Sequence, residues 1–427
     1  MYGVVALAGA ILVYATHLAE AGIETVGVPA VTRAPRQARH LLGSLSLVRF
    51  VVALVLTAVL VAAGMWVLPQ PDGAILAAFS MALPLRALTA RWMLLAVDAA
   101  RGVALARVTG ELVCALLVFS LVQDVADLGR VPLTQVAGDA ATALVVLLVL
   151  RRLGHVGRLG YRHDLAAPVL RDSWQLVVHA MMSLLVFNFD LIALRFFRDS
   201  VTVGWYSSAY ALISFLSNLG LSFAYSVLPA LARLGAPGES GERPLYQTSL
   251  VAAFAITLPL AVGGAFVSAG LIALVYGDGF APAAQPLRLL LAVVPLTWLR
   301  LVAQMALIAR GRQKDVLIIT AIGSVLAVVL DLLVIPRYGM AGAAMVTVAV
   351  ELLRCVLIAR AAAKLGLGWP GLGRFWKPVA ATGAMAAAAA ALAGQHVLLV
   401  VPAGAVVYAV MLLVTGAVRV RPVALRL

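Results

Sequence analysis

The sequence predicts an all-α, polytopic membrane protein of about thirteen transmembrane helices. They form two pseudo-symmetric bundles, with two further helices towards the C-terminal end. Three observations predict this. Of the 427 residues, 63% are hydrophobic and 12% charged, where a soluble domain averages roughly 45–50% and about 25%. Apolar stretches of about 20 residues, long enough to cross a bilayer as a helix, recur from end to end. Two pairs of segments also repeat. VPAVTR at 28–33 returns as LPALAR at 228–233, and LPLRALTARWMLLAVDAARG at 83–102 returns as VPLTWLRLVAQMALIARGRQ at 294–313.

In order, the expected spans are 3–29, 41–68, 74–96, 102–122, 132–151, 172–197, 203–232, 248–275, 285–309, 315–335, 339–363, 376–394 and 396–418. Backbone in hydrocarbon satisfies its own hydrogen bonds, so each is a helix. The first carries a polar stripe of His17, Glu20 and Glu24, the two acids one turn apart. The third carries Pro84, Arg86 and Arg91. The sixth holds Asn188, Asp190 and Arg195, the eighth Pro259, and the ninth Pro295 and Arg300. Asp331 lies on the tenth span, and Thr347 follows the turn IPRYGMAGAA on the eleventh. Each proline frees a carbonyl and permits a bend, so all three are candidate hinges. The run GAMAAAAAALAG at 383–394 suits close helix packing.

The repeats pair the first span with the seventh and the third with the ninth. The sixth span then opens the second bundle, and its counterpart before the first is missing. One N-terminal helix is therefore expected to be absent. The expected division is a five-helix lobe at 1–151, a cytoplasmic linker at 152–171 and a six-helix lobe at 172–364. Two extra helices and a basic tail occupy 365–427.

The net charge of +14 does not point to nucleic acid. Cations gather in short loops after odd-numbered spans, such as Arg33, Arg36 and Arg39, or Arg310, Arg312 and Lys314. Loops after even-numbered spans hold few. By the positive-inside rule the odd loops and the C-terminus are cytoplasmic, and Met1 starts outside. Cys114 and Cys355 both lie in apolar runs and indicate no disulfide. No Walker A, HExxH or CxxC motif occurs, and no nucleophile–base pair is recognisable. Neither enzyme activity nor a metal centre or cofactor is expected.

The segments NFDLIALRFF, VGWYSSAYAL, VLPALARL, LIALVYGDGFAPAAQPLRLL and IPRYGMAGAA, in that order, resemble the polysaccharide (oligosaccharide) flippase family. That family belongs to the multidrug/oligosaccharidyl-lipid/polysaccharide exporter superfamily. ATHLAEAGIETVGVPAVTRAP near the front resembles the family's second helix and the basic loop after it, and the family's first helix has no counterpart. The resemblance covers nearly the whole chain. It implies a V-shaped exporter fold of two lobes. It also implies alternating-access transport of undecaprenyl-pyrophosphate-linked oligosaccharide across a bacterial inner membrane, for surface polysaccharide such as O-antigen lipopolysaccharide. Implied partners are the lipid-linked oligosaccharide, membrane lipids, and the polymerase and glycosyltransferases of the same pathway. A lipid-linked peptidoglycan precursor flippase, a multidrug antiporter of the same superfamily and an inactive remnant are the alternatives.

A charge inside the bilayer costs at least about 2.5–3.5 kcal/mol and tends to face a cavity or a partner. Arg300, Arg86, Arg91 and Arg195 are therefore the candidate pyrophosphate ligands, since the guanidinium fork matches phosphoryl oxygens. Snorkelling or internal ion pairing is the plainer reading. For sodium or proton coupling, the resemblance points to Asp190, Asp331 and Thr347. Asn188, Glu20 and Glu24 are further candidates, since hard cations take oxygen ligands. Pairing of Asp190 with an arginine is the alternative.

Overall fold

The computed structural model describes residues 2–20, 23, 27, 31, 35–97, 99–156, 160–234, 241–392 and 394–416. All its regular structure in that part is helical. The chain divides into two compact units, Met1–Gly204 and Trp205–Leu427.

The first unit contains α1 (Tyr2–Glu20), α2 (Ala38–Trp66), α3 (Asp72–Ser80), α4 (Ala82–Leu88) and α5 (Arg91–Ala96). It continues with α6 (Ala100–Leu121), α7 (Val131–Arg152) and α8 (His163–Phe197). The expected third span is thus three short helices. The break after Ser80 precedes Pro84, which cannot donate to the Ser80 carbonyl one turn back. Thr57 on α2 donates its hydroxyl to that carbonyl instead, at 3.1 Å. The second break, at Thr89–Ala90, separates α4 from α5. Arg49 of α2, fully buried, points its guanidinium at the carbonyls of Arg86 and Thr89. The break falls between two apolar clusters. One gathers Leu12, Ile75, Phe79 and Leu83, the other Leu45, Trp92, Met93 and Leu150.

Helix α8 was expected to open the second lobe. It packs instead on α1 and α2. Tyr14 donates to the Leu184 carbonyl at 2.9 Å, and Arg195 pairs with Asp72 of α3 at 2.5 Å. These ties hold it in the first unit.

The chain passes through α9 (Ser200–Leu234) to α10 (Glu242–Tyr276), α11 (Ala284–Leu290) and α12 (Val293–Ala309). It then forms α13 (Gln313–Lys364), α14 (Trp376–Ala391) and α15 (Val397–Val414). At 1.5 Å per residue, α13 would extend about 78 Å, more than twice a bilayer core of about 30 Å. It is two helices meeting at Gly339, whose φ of 55° favours glycine. The halves fold back on each other, because the Arg354 side chain lies across Gly323. Helix α12 opens as α4 does. Pro295 is its third residue, as Pro84 is of α4, and a break precedes both. The repeat seen in the sequence is therefore also a repeat of helix starts.

Among the described residues nine helices are long and apolar enough to cross a membrane, or ten with the bent pair Asp278–Leu290 and Val293–Ala309. The expected count was thirteen. The two halves of α13 count once, α14 has only 16 residues, and α8 is not among the nine.

Pro259 lies inside α10 and cannot donate to the Ala255 carbonyl one turn back. The Tyr408 hydroxyl of α15 donates to that carbonyl. The carbonyl freed by the proline is tied to a neighbouring helix, as at Pro84. Tyr408→Phe should therefore cost about 1–3 kcal/mol, the penalty for an orphaned carbonyl. Thermal unfolding of the purified protein tests this, and an unshifted midpoint would count against the tie.

Candidate functional site

The break between α4 and α5 places Arg86 and Arg91 on its two sides. Both line a cavity of about 250 Å³ in the first unit, together with Glu20, Arg107, Glu111 and Asp139. The rest of its wall comes from Thr16, Thr89 at the break, Gln135 and small residues of α6 and α7, among them Gly110 and Gly138. Arg86 donates from Nε to Asp139 at 2.8 Å and from Nη1 to the Thr16 hydroxyl at 3.1 Å. Arg91 pairs with Glu20 at 3.3 Å, and Glu20 lies 3.6 Å from His17. The lining residues carry three guanidiniums and three carboxylates. Such a site can exchange an internal ion pair for an external charge of either sign.

A second ionic cluster lies in the other unit. Arg300 donates from Nε to Glu351 at 2.5 Å and from Nη1 to Gln304 at 2.8 Å. Arg354 and the Thr297 hydroxyl also donate to Glu351, at 3.0 and 2.8 Å. Exposure separates the two clusters. Side-chain exposure is 24% and 18% for Arg86 and Asp139, but 5% and 1% for Arg300 and Glu351. The first pair opens on a cavity. The second is sealed between α12 and α13, in the internal ion-pair role that the sequence left as the plainer reading. Arg195 is committed to Asp72.

The structure thus brings Arg86, Arg91 and Glu20 together, and leaves Arg195 and Arg300 elsewhere. Asp190 is buried on α8, where its Oδ1 accepts the Leu191 N–H at 2.8 Å. It belongs to the first unit, whereas Asp331 and Thr347 belong to the second. Those two are buried equally far from Gly339 on the facing halves of α13. The Thr347 hydroxyl donates to Ala343 of its own helix at 2.9 Å. Glu24 and the Asn188 side chain lie outside the described residues. No group of three or more metal-ligating side chains occurs among the described residues.

Sequence reasoning missed Asp139, Glu111, Asp72 and Glu351, and two further arginines within expected spans, Arg49 and Arg354. Except for Asp72, which lies in the turn before the third expected span, their signal was the one that found the others, a charge inside an apolar run. Outside the spans, the hydrogen bond from Arg162 holds the exposed Asp164 carboxyl below the usual carboxylate range.

The second unit also contains an apolar groove of about 1110 Å³ between α9, α10, α14 and α15. Phe215, Leu260, Met385 and Val401 are among its walls, and Arg374 and Lys377 are its cations. Arg374 donates to Gln247 and Thr248, each at 3.1 Å.

The family model described as polysaccharide biosynthesis protein matches residues 1–235. No curated protein matches the sequence. Among solved structures the chain is similar to the lipid II flippase MurJ in an inward closed conformation. The TM-score is 0.81 at 14% identity, over 97% of this chain and 93% of that one. An inward-facing multidrug resistance transporter of the MATE family, in the MOP superfamily, gives 0.62 at 16% identity, over 86% and 88%. A MOP superfamily transporter from Pyrococcus furiosus gives 0.54 at 16% identity, over 89% and 88%. At these identities the likeness is one of fold.

Proposed function

Since the chain belongs to the polysaccharide biosynthesis protein family, we propose that it is a flippase for undecaprenyl-pyrophosphate-linked oligosaccharide. It carries these units across a bacterial inner membrane by alternating access, for surface polysaccharide such as O-antigen, and works beside the glycosyltransferases and polymerase of that pathway. One observation carries the reading. Two guanidiniums, Arg86 and Arg91, flank a helix break and line a cavity within an apolar span. Broken helices are where transporters commonly bind charged substrate, and a pyrophosphate has two phosphoryl groups to offer two forks. At about 250 Å³ the cavity is smaller than the roughly 300–1,000 Å³ of typical ligand pockets. It takes a headgroup fragment. The three carboxylates of the same cavity favour one alternative, a multidrug antiporter taking organic cations.

The test is flipping of a fluorescent undecaprenyl-pyrophosphate oligosaccharide in proteoliposomes. Arg86→Gln with Arg91→Gln should slow it at least about ten-fold, the loss of charge-assisted bonds. An unchanged rate would remove the headgroup role, and competition by an organic cation would favour the antiporter. The same assay run with sodium or proton gradients tests coupling. Asp190→Asn or Asp331→Asn should abolish any dependence if either buried carboxylate binds the ion.

A further inference from the structure

We infer that the first-unit cavity carries its own competing anion. Asp139 occupies the Arg86 guanidinium and gives way to a phosphoryl group of the substrate. The inference rests on reading this cavity as the headgroup site, and it adds the element that regulates it. A carboxylate and a phosphoryl group present the same paired acceptor oxygens to a guanidinium. Asp139 meets Arg86 at 2.8 Å from another helix, α7, so the contact can open without unwinding either helix.

Three details separate this pair from a structural one. It lines a cavity, and both side chains keep some exposure, unlike the sealed Arg300 and Glu351. Asp139 Oδ2 also accepts from Gln135 one turn back on its own helix, at 3.4 Å. A carboxylate that leaves Arg86 therefore keeps a hydrogen-bond donor. The Thr16 hydroxyl, 3.1 Å from Nη1, stays with Arg86 and fixes the fork for the incoming group.

Across the helix break, Glu20 of α1 stands to Arg91 as Asp139 does to Arg86, at 3.3 Å. Each guanidinium thus has a resident carboxylate from a different helix. The arrangement answers two demands on a carrier. A lone guanidinium at this depth is costly, so the empty site needs a counter-charge. The substrate must also leave, and a carboxylate waiting beside the fork speeds its release. Affinity is then the difference between two anions competing for one cation, a negative coupling.

The experiment is isothermal titration of the full chain in phosphatidylcholine nanodiscs, with inorganic pyrophosphate in one arm and farnesyl pyrophosphate in the other. Asp139→Asn, near-isosteric, should bind pyrophosphate about ten-fold more tightly than the parent chain, a moderate coupling released. Arg86→Gln should bind at least ten-fold more weakly. If Asp139→Asn binds no better than the parent, the inference is overturned, because a purely structural pair predicts weaker binding when broken. Should that variant not fold, Gln135→Glu decides. A second carboxylate at the fork should weaken binding about ten-fold, and unchanged or tighter binding overturns the inference. Equal gains in both arms assign the site to the phosphoryl group alone. A gain confined to farnesyl pyrophosphate assigns it to a lipid headgroup. Both support competition by Asp139. Equal binding by the parent and Asp139→Asn leaves the headgroup reading standing and removes only the competitor. No binding by any variant removes both.

Discussion

Glu351→Ala is expected to destabilise the second unit by about 3–5 kcal/mol, the usual cost of stripping one partner from a buried ion pair. The reason is the charge balance of the cluster. Glu351 accepts from Arg300, Arg354 and Thr297, and both guanidiniums are buried with it. Without the carboxylate, two cations remain between α12 and α13, where water does not reach them. Arg354 cannot swing out easily, because its side chain lies across Gly323 on the facing half of α13. Arginine also stays protonated in proteins, so neutralisation offers no escape. The triple variant Arg300→Met, Glu351→Leu, Arg354→Met should recover most of the lost stability, since well-packed apolar side chains often replace a buried ionic triad without loss. Melting of the purified variants checks both statements. A single variant as stable as the parent would show that the ion cluster does not hold α12 to α13, and a triple variant as unstable as the single would show that Arg300 does more than pair.

The helices were legible because lipid leaves a chain few options. Long apolar runs must be helical, and RYGMAG around Gly339 marked the turn that divides α13. The breaks around α4 were not legible as breaks. Pro84 marked the first, but the groups that make both tolerable lie far away in sequence, Thr57 for the Ser80 carbonyl and Arg49 for those of Arg86 and Thr89. The repeat hid the second break as well. Arg300 aligns with Thr89, yet α12 runs on through Arg300 where α4 has stopped.

Charges inside apolar runs singled out Arg86, Arg91 and Glu20, and the structure brings the three to one cavity. Their partners did not follow. Asp139 is 53 residues from Arg86 and Asp72 is 123 from Arg195. A single sequence records that a buried charge needs a partner without recording which one. Exposure was equally hidden, so Arg300 and Arg86 looked alike until packing sealed one pair and left the other open. The alanine run at 383–394 drew attention as a close-packing segment, and α14 does pack on α10 and α15, although Gly383 itself has open space around it. The tightest approach in the cavity wall is made by single glycines on α6 and α7.

Gly110→Val is expected to slow transport at least ten-fold, through the spacing of α6 and α7. A Cβ at Gly110 would stand 1.9 Å from the Thr142 hydroxyl oxygen and 2.7 Å from the Gly138 carbonyl oxygen, and one at Gly138 would stand 2.8 Å from the Gly110 carbonyl oxygen and 2.9 Å from the Cys114 Cβ. Glycine backbone on each helix meets glycine backbone on the other, with only the small Thr142 and Cys114 side chains beside it, the small-residue contact that lets membrane helices approach closely. A carbonyl cannot rotate aside as a side chain can, so α6 and α7 must separate. Overpacking of this kind typically costs about 1–3 kcal/mol. The functional loss should exceed what that cost implies, because both glycines line the cavity and Asp139 adjoins one of them. A shift of about 1 Å in a reacting group can cost about a hundred-fold in rate, and separating α7 from α6 moves Asp139 relative to Arg86. Cys114 lies on the same wall and reports the spacing directly. Its maleimide labelling should change several-fold in Gly110→Val, together with the flipping rate. Gly129→Val is the control, since a Cβ there meets nothing within 4 Å. If Gly110→Val labels and transports like that control, helix spacing does not set the geometry of the cavity. If labelling changes while transport does not, the cavity exists but the substrate does not use it.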